Sequence, residues 1–351
     1  MKLYLHCGYH KTGSSFLQTL FARNRDSLRE SGIHFPVASR EYDMISGEIS
    51  PGNGPELAKA IKENDNQKSS ELIAGYVSDA KRNGCDSILI SSENFFHSFE
   101  KQTAVELLTN VAENNGIESI NALLYFRDPV SHAISTFKHR AKNGKISDLS
   151  HWLETDYETM ELIERFMEYR TRYSIQWTCR KYRSQSEHMA KSAFADWLGI
   201  DIPAIPEDDR VNTSLTLSEL LAIQSLNKNR PAYIPFVREA FAAIPFSDKA
   251  TDLELSRRYN AIASDKLTSY TPLIEEVNRL LPENEQLKLT SPVESVDDTG
   301  QDNIALSKEQ VTAFVAGIEA GTKSERLMHK SKAILMKVAD RVNQKIKMFT
   351  A

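Results

Sequence analysis

The polar residues at positions 6–15 form the part of the sequence best suited to bind an anion. The run His-Cys-Gly-Tyr-His-Lys-Thr-Gly-Ser-Ser contains the glycines Gly8 and Gly13 and a single lysine, Lys11. Glycines let a backbone curl around an anion, and the N–H groups at the start of a following helix point at it. Further donors come from the hydroxyls of Thr12, Ser14 and Ser15. This combination predicts a phosphate-binding loop.

The loop differs from the Walker A motif G-x-x-x-x-G-K-[ST] of many nucleotide-binding proteins. Gly8 and Gly13 have the separation of that motif, but Ser14 stands where the lysine belongs. Lys11 comes two residues before the second glycine instead. The alternative interpretation is a polar strand-to-helix turn with a serine cap and no ligand.

A second group of polar residues follows the apolar run 120–126. Arg127 comes directly after it, Asp128 and Pro129 come next, and Ser135 lies eight residues beyond the arginine. An arginine at the carboxyl end of a strand can bind a phosphate through two parallel N–H donors. Proline suits the first turn of a helix, so a helix is expected to begin at Pro129. Ser135 lies about two turns further along that helix and would face the same side as Arg127. The segment predicts a phosphate contact, and its alternative is an Arg–Asp surface pair beside a helical serine.

Glu93 is the carboxylate best placed to move a proton. It follows the apolar run 87–91 and stands between polar and aromatic neighbours. A carboxylate at such a position can act as general base toward a hydroxyl. The alternative is a glutamate that caps a helix. Three histidines compete for the same role, namely His97, His132 and His139.

The elements that must position these residues alternate between strand and helix in the first half of the chain. The predicted strands are 3–7, 87–91, 120–126 and 174–182. The predicted helices are 14–31, which Gly32 ends, 130–142 and 189–198. Buried strands alternating with helices are typical of a parallel sheet covered on both faces, with ligands beyond the carboxyl ends of the strands. The predicted fold class is therefore α/β, a parallel sheet flanked by helices.

From Thr216 onward the pattern is largely helical. Two capping boxes, Thr216-Leu-Ser-Glu219 and Ser307-Lys-Glu-Gln310, open helices there, and the acidic stretch 282–303 between them is predicted to be an exposed loop. The glycine- and proline-containing stretch 36–55 is predicted to be either a lid over a substrate or a plain connector. We therefore divide the chain into an α/β core at 1–215 and a helical region at 216–351 that completes or caps it.

The amino-acid composition is that of a globular protein. The 351 residues carry 43 Lys+Arg and 48 Asp+Glu, a net charge of -5, and 40% are hydrophobic. These values are ordinary for a globular chain and exclude a wholly disordered or fibrous one. A mildly negative protein has no global attraction for nucleic acid, so no nucleic-acid partner is predicted.

The cysteines and the apolar segments indicate the cellular compartment in which the protein is expected. Cys7, Cys85 and Cys179 cannot form a disulfide framework, so we expect buried free thiols in a reducing compartment. No Cys/His spacing suggests zinc, and no metal is predicted. The apolar run at the N-terminus is too short for a secretory signal, and no window offers about 18 consecutive apolar residues. The expected location is cytoplasmic.

Together, these segments resemble, in this order, the motifs of sulfotransferases that use 3′-phosphoadenosine 5′-phosphosulfate (PAPS). The run Lys11-Thr-Gly-Ser-Ser15 looks like that family's 5′-phosphosulfate loop, K-[ST]-G-[ST]-[ST]. Arg127, with Ser135 at the family's separation, resembles the 3′-phosphate motif, and Glu93 matches the position of the catalytic base. The resemblance covers about residues 1–215, and the segment 210–215 is also similar to bacterial members.

The resemblance implies a P-loop-like fold and an in-line transfer of a sulfuryl group from PAPS to an acceptor hydroxyl or amine. Lys11 would stabilise the leaving phosphate oxygen, and Glu93 would take the acceptor's proton. The 5′-phosphate would be held by Lys11, Thr12, Gly13, Ser14 and Ser15, and the 3′-phosphate by Arg127 and Ser135. No metal is required. A carbohydrate is the first expectation for the acceptor, followed by a lipid-linked glycan or other alcohol.

Two other functions stay open at this point. One is a P-loop kinase or nucleotide phosphotransferase, which shares the loop after the first strand but needs Mg²⁺ and a Walker-type lysine. The other is a non-catalytic binding module on the same fold.

The end of the chain is basic. Residues 323–348 hold eight basic and two acidic residues, a charge of +6, so the rest of the chain carries -11. Apolar residues recur there on one helical face, at Leu335, Val338, Val342, Ile346 and Phe349. Three interpretations remain: a terminal helix docked on the core, contact with a partner or acidic glycan, and binding to a membrane surface. The sequence predicts no oligomeric state.

Overall fold

A five-stranded parallel sheet organises the first half of the chain. The computed structural model describes residues 1–48, 50–144, 148–205, 215–227, 229–250, 252–289 and 304–325. Its strands are β1 (Lys2–Cys7), β2 (Ile33–His34), β3 (Ser87–Ser92), β4 (Ser119–Phe126) and β5 (Ile175–Lys181). The four predicted strands are confirmed to within one residue at each end. The two-residue β2 was not predicted, because two residues carry no periodic pattern.

The strand order brings the ends of three strands together. The order is β2-β3-β1-β4-β5, and every pair is parallel. In the register of the sheet, Leu5 of β1 lies opposite Ile90 of β3 on one side and Ala122 of β4 on the other. The chain therefore builds one side of β1 first and then crosses to the other. The crevice at such a switch point is where open parallel sheets bind ligands.

Helices cover both faces of the sheet, as predicted. Before β5 the helices are α1 (Ser14–Arg23), α2 (Arg25–Glu30), α3 (Glu41–Ser46), α4 (Pro55–Lys62), α5 (Asn66–Arg82), α6 (Asn94–Ser98), α7 (Gln102–Asn114), α8 (Pro129–Ala141), α9 (Leu149–Thr155) and α10 (Thr159–Tyr169). After β5 come α11 (Ser186–Ala190), which continues as the π-helical segment Lys191–Leu198, α12 (Leu217–Asn227), α13 (Ile234–Ala242), α14 (Leu253–Leu267), α15 (Thr271–Asn278) and α16 (308–325). Short 3₁₀ turns occupy Pro231–Tyr233, Phe246–Asp248, Thr268–Tyr270 and Glu283–Glu285. None of the described helices is long and apolar enough to cross a membrane.

The alternation of side chains along the strands explains the two-sided core. On one face, Leu89 and Tyr125 of the strands pack with Phe21 of α1 and Phe194 of the π-helical segment. On the other face, the ring of Phe126 lies 5.9 Å from that of Phe166 in α10. Strands buried on both faces need apolar residues at consecutive positions, which is why they were visible in the sequence.

The predicted helix 14–31 is wrong in one respect, because it is two helices. Asn24 separates α1 from α2 with φ −106° and ψ 24°. Its side-chain Nδ2 donates to the carbonyl of Leu20 at 2.8 Å, a local bond that competes with continuation of the helix. The predicted helix 189–198 also differs, since it begins at Ser186 and is π-helical from Lys191.

The chain folds into two compact units whose segments interleave along the sequence. The first contains the described parts of 1–136, 153–212 and 262–292, and it holds the whole sheet. The second contains the described parts of 137–152, 213–261 and 293–351. The sequence-based division at 215/216 stays a prediction.

Both predicted capping boxes of the second unit are confirmed, and a hydrogen bond between their side chains connects them. Glu219 accepts from the backbone of Thr216 at 2.8 Å, and Gln310 accepts from that of Ser307 at 2.8 Å. The amide of Gln310 then donates to Glu219 at 2.9 Å, and the buried Lys249 ammonium lies 3.1 Å from the same carboxylate. The basic segment 323–348 lies outside the described residues except for its first three, and of the segment 210–215 only Leu215 is described.

Candidate functional site

The loop between β1 and α1 adopts an unusual backbone conformation. Lys11 has φ +63° and Gly13 has φ +81°, so two positions of the loop are left-handed. A lysine in that region costs about 1–3 kcal/mol and persists only where its surroundings hold it. Left-handed residues in a loop turn successive N–H groups toward one side and create a concavity that suits an anion. The first-turn N–H groups of α1, which begins at Ser14, have no acceptor within the helix.

Three consecutive carbonyls of the loop are bound by donors of the protein. The carbonyl of Tyr9 accepts from the backbone and the hydroxyl of Thr12. That of His10 accepts from Nε2 of His132 at 2.9 Å, and that of Lys11 accepts from Nη1 of Arg127 at 3.0 Å. Because these carbonyl oxygens already accept hydrogen bonds from the protein, the loop's N–H groups remain available to an anion.

His132 stabilises the loop through hydrogen bonds. A carbonyl only accepts, so Nε2 of His132 carries the proton, and Nδ1 accepts from the hydroxyl of Tyr157 at 2.8 Å. The His132 ring is 1% exposed and stacks on that of Tyr9 at 4.6 Å. Burial holds the pKa of His132 well below its usual range, which keeps the ring neutral. Protonation of His132 would make Nδ1 a donor, so the Tyr157 hydroxyl would have to turn from donating to accepting.

Arg127 connects the end of β4 to the loop. Its Nε donates to the hydroxyl of Ser131 at 3.0 Å, while Nη1 holds the Lys11 carbonyl. The ring of Tyr182, the residue after β5, lies 5.2 Å from the guanidinium carbon. Burial lowers the pKa of Arg127, an effect that its neighbours Tyr182 and Asp128 oppose. An anion at this edge would supply a counter-charge for the arginine.

Ser135 lies one turn beyond Ser131 in α8 and is partly buried. The structure brings Arg127 to Ser131, and among the described residues it records no hydrogen bond between Arg127 and Ser135. Residues four apart share a helix face, so Ser135 is on the side of α8 that Arg127 contacts. Its role toward a phosphate stays a prediction.

Glu93 lies against the loop on the other side, after β3. Gly8 makes this approach possible: a Cβ added there would lie 2.7 Å from the Ser14 hydroxyl and 3.0 Å from Cγ of Glu93. Burial raises the pKa of the Glu93 carboxyl, while the charge of Lys11 and a hydrogen bond from Ser14 act in the opposite direction. A carboxylate with a raised pKa is a better acceptor for a hydroxyl proton. Lys11, Ser14 and Glu93 therefore form one group.

The loop hydroxyls differ in their surroundings. Thr12 and Ser14 are buried, and both hydroxyls reach toward the carbonyl of Tyr9. Ser15 is partly buried. Their predicted role as phosphate donors stays a prediction.

The two remaining histidines that compete with Glu93 have different positions. His97 is partly buried in α6, and its ring stacks on that of His10 at 5.6 Å, so it remains a second candidate base at this edge. His139 is exposed in the last turn of α8.

Tyr182 belongs to the candidate site, although it was not among the predicted site residues. It touches Arg127 on one side, and on the other its Cε2 would lie 3.0 Å from a Cβ added at Gly13. Gly13 is thus constrained both by its left-handed φ and by lack of space. The available signal was position: Tyr182 stood at the end of a predicted strand, where ligands of parallel sheets bind.

The three cysteines are free and buried, as expected. Within the described part of the chain, no group of three or more His, Cys, Asp and Glu side chains is arranged to hold a metal ion.

Comparison of this chain with protein-family models, with curated proteins and with solved structures found no match.

Proposed function

We propose that this protein is a PAPS-dependent sulfotransferase. The observation that carries the proposal is the grouping at one sheet edge of Lys11, Glu93 and Arg127. The lysine belongs to the loop with two left-handed residues, the carboxylate shares a hydrogen bond with that loop's Ser14, and the arginine binds the lysine's own carbonyl. Two basic side chains and a carboxylate at the same end of the sheet suit a small polyanion with two phosphate groups and an acceptor that must lose a proton.

The proposed reaction is an in-line displacement at sulfur. The acceptor oxygen forms a bond to sulfur as the bond between sulfur and the 5′-phosphate oxygen breaks, which leaves 3′-phosphoadenosine 5′-phosphate (PAP). Glu93 accepts the proton of the acceptor hydroxyl. Lys11 and the N–H groups at the start of α1 stabilise the negative charge on the leaving phosphate. Donors that are already oriented toward such a charge are worth on the order of 2.7–4 kcal/mol each.

The 3′-phosphate is assigned to Arg127, with Ser135 as its partner in α8. The parallel sheet, with its loop at the switch point beside β1, supports a P-loop-like sulfotransferase fold. The proposed site uses no metal. The proposed acceptor is a carbohydrate or another alcohol, and the proposed location is cytoplasmic.

Transfer can be tested with the full chain, PAPS carrying ³⁵S, a panel of carbohydrate and simple alcohol acceptors, and EDTA in one arm. Calorimetric titration of PAP, ADP and ATP, with and without Mg²⁺, tests the cofactor independently of the acceptor. We expect metal-independent binding of PAP. Preference for ATP with Mg²⁺ would favour a phosphotransferase instead, and PAP binding without transfer to any acceptor would favour a binding module.

The Lys11→Ala variant tests the site within the same assays. Its matched control is Lys59→Ala, because the Lys59 side chain is 73% exposed in α4. Transfer should be lost in the first variant and unchanged in the second.

A further inference from the structure

The segment 50–54 is attached to the end of β3, immediately before Glu93. The strand β2 ends at His34, opposite Ile88, so it does not reach the last residues of β3. Beyond that point Asn53 takes the place of a strand. Its side-chain Oδ1 accepts from the backbone N–H of Ser91 at 2.7 Å, and its own N–H donates to the carbonyl of Ser91 at 3.0 Å. The N–H of Gly54 donates to the same carbonyl at 3.2 Å, so Asn53 and Gly54 together cover the end of β3 that β2 leaves unpaired.

The amide of Asn53 makes further bonds to the same edge. Its Nδ2 donates to the carbonyl of Leu89 at 3.1 Å and to that of Pro36 at 3.3 Å. Asn53 is 7% exposed, so these bonds are shielded from water. Both ends of the loop 36–54 are therefore held by one side chain. The lid and connector interpretations of this stretch both stay predictions.

The glycines beside Asn53 let the segment approach β3 and the start of α6. Gly52 has φ +83°, and a Cβ there would collide with the backbone carbonyl oxygen of Ser91 in β3. A Cβ at Gly54 would lie 2.8 Å from the ring of Phe95. Asn53 thus holds a residue two positions before Glu93, and Gly54 contacts a residue two positions after it.

We propose that Asn53 is a positioning residue for Glu93. The inference rests on the proposed function, in which Glu93 is the base. Asn53 touches no reacting atom in this scheme. It fixes the end of β3, from which the chain leads directly to Glu93. The partner on the opposite side is Gly8, whose N–H donates to the carbonyl of Ser92 at 3.0 Å.

The variant Asn53→Ser tests this role, because serine is too short to bind both Leu89 and Ser91. Its matched control is Asn115→Ser. Asn115 donates to the carbonyl of Val111 at 2.8 Å at the end of α7, four residues before β4 begins, at the end of the strands away from Glu93. We expect Asn53→Ser to lower kcat about 10- to 100-fold, the scale of a small misplacement of a reacting group. PAP affinity and the KM for PAPS should stay within about twofold, since the phosphate loop is untouched.

A second readout does not depend on activity. In the full chain labelled with ¹³C at glutamate carboxyls, the Glu93 signal is identified by its loss in Glu93→Gln and then titrated. We expect the pKa of Glu93 to fall toward the ordinary glutamate range in Asn53→Ser and to stay unchanged in Asn115→Ser, because only the first variant loosens the end of β3 that holds the carboxylate in its buried position. Gly54→Ala, which pushes the segment away from Phe95 and keeps the asparagine, should lower it as well.

The two readouts separate the inference from the function on which it rests. If Glu93 titrates alike in wild type, Asn53→Ser and Gly54→Ala, the positioning role is overturned. If the pKa of Glu93 falls in both variants while the wild type transfers no sulfuryl group, the positioning role stands and the proposed function fails.

Discussion

The guanidinium of Arg127 donates a hydrogen bond to the backbone carbonyl of Lys11, 3.0 Å away and 116 positions earlier in the chain. The two residues follow neighbouring strands, β4 and β1. Lys11 has a left-handed φ of +63°, which is unfavourable for a residue with a side chain. The bond from Arg127 helps to hold that conformation. A direct hydrogen bond therefore connects the arginine proposed to bind one phosphate with the lysine proposed to bind the other.

This link predicts that Arg127→Lys weakens nucleotide binding although it keeps the charge. An ammonium cannot present the planar fork that reaches both the Lys11 carbonyl and the Ser131 hydroxyl. Hydrogen bonds to charged groups are worth about 1.5–3 kcal/mol, so the Kd for PAP should rise about 10- to 100-fold in calorimetric titrations. Arg172→Lys is the control, because Arg172 also lies over a tyrosine ring, that of Tyr169 at 5.4 Å. Equal affinities of wild type and Arg127→Lys would contradict the link.

Lys11→Ala should abolish transfer while the protein stays folded. The side chain is assigned to the charge that develops on the leaving oxygen, and loss of one such donor costs about 10²–10³ in rate. Circular dichroism and thermal unfolding check the fold, and single-turnover transfer from PAPS checks the rate. A variant with near-normal turnover would remove Lys11 from the proposed mechanism.

Glu93→Gln should lower transfer by about 10²–10⁴, the usual contribution of a general base, and leave PAP binding intact. The wild-type rate should also fall with pH. Glu93 works as a base only when ionised, and burial raises its pKa above the ordinary glutamate value of about 4.3. The rate should decline as pH falls through this raised pKa. The residual rate of Glu93→Gln should not show this decline, and pH–rate profiles of both proteins check the difference. Survival of activity in Glu93→Gln together with its loss in His97→Ala would assign the base to His97.

Tyr157→Phe should weaken PAP binding through the loop. Without the tyrosine hydroxyl, Nδ1 of His132 loses its donor, and the tautomer that holds the His10 carbonyl is no longer favoured. One such hydrogen bond is worth about 0.5–1.5 kcal/mol, so the Kd should rise about 2- to 10-fold. Tyr125→Phe is the matched control, since its buried hydroxyl bonds to Ser192 under the sheet. It should cost stability and leave the Kd alone, and an equal effect of the two variants on Kd would refute the loop role.

His6 should make the fold sensitive to acid. The ring is buried beneath α1 with Nδ1 2.8 Å from the Ser91 hydroxyl, and burial lowers its pKa to about 3. Between the ordinary value of about 6.5 and about 3, the unfolded chain binds a proton that the folded chain does not, so the free energy of unfolding falls as pH drops. Urea unfolding between pH 7 and 4 should show a shallower loss in His6→Gln than in wild type. The exposed His151 provides the control variant His151→Gln, and parallel curves for all three proteins would exclude His6 as the cause.

The strands and the two capping boxes were predictable because their signals are local. Short apolar runs identified β1, β3 and β4, and the mixed run 174–182 identified β5, each to within one residue at each end. The capping boxes at Thr216 and Ser307 are likewise short-range patterns, and both are present. Each of these features depends on neighbours within a few positions, so the order of residues is enough to specify it.

The sequence by itself determined which residues follow each strand, and hence that Lys11, Glu93 and Arg127 end at one edge of a parallel sheet. Only the tertiary structure decided that β1 lies between β3 and β4, which makes these three residues neighbours. It also brought Asn53 and Tyr182 to the site. Their places depend on contacts between chain segments far apart in sequence: Asn53 with Ser91, and Tyr182 with Gly13 and Arg127. Such contacts leave no periodic pattern, because they form only when the strand order has fixed which chain ends meet.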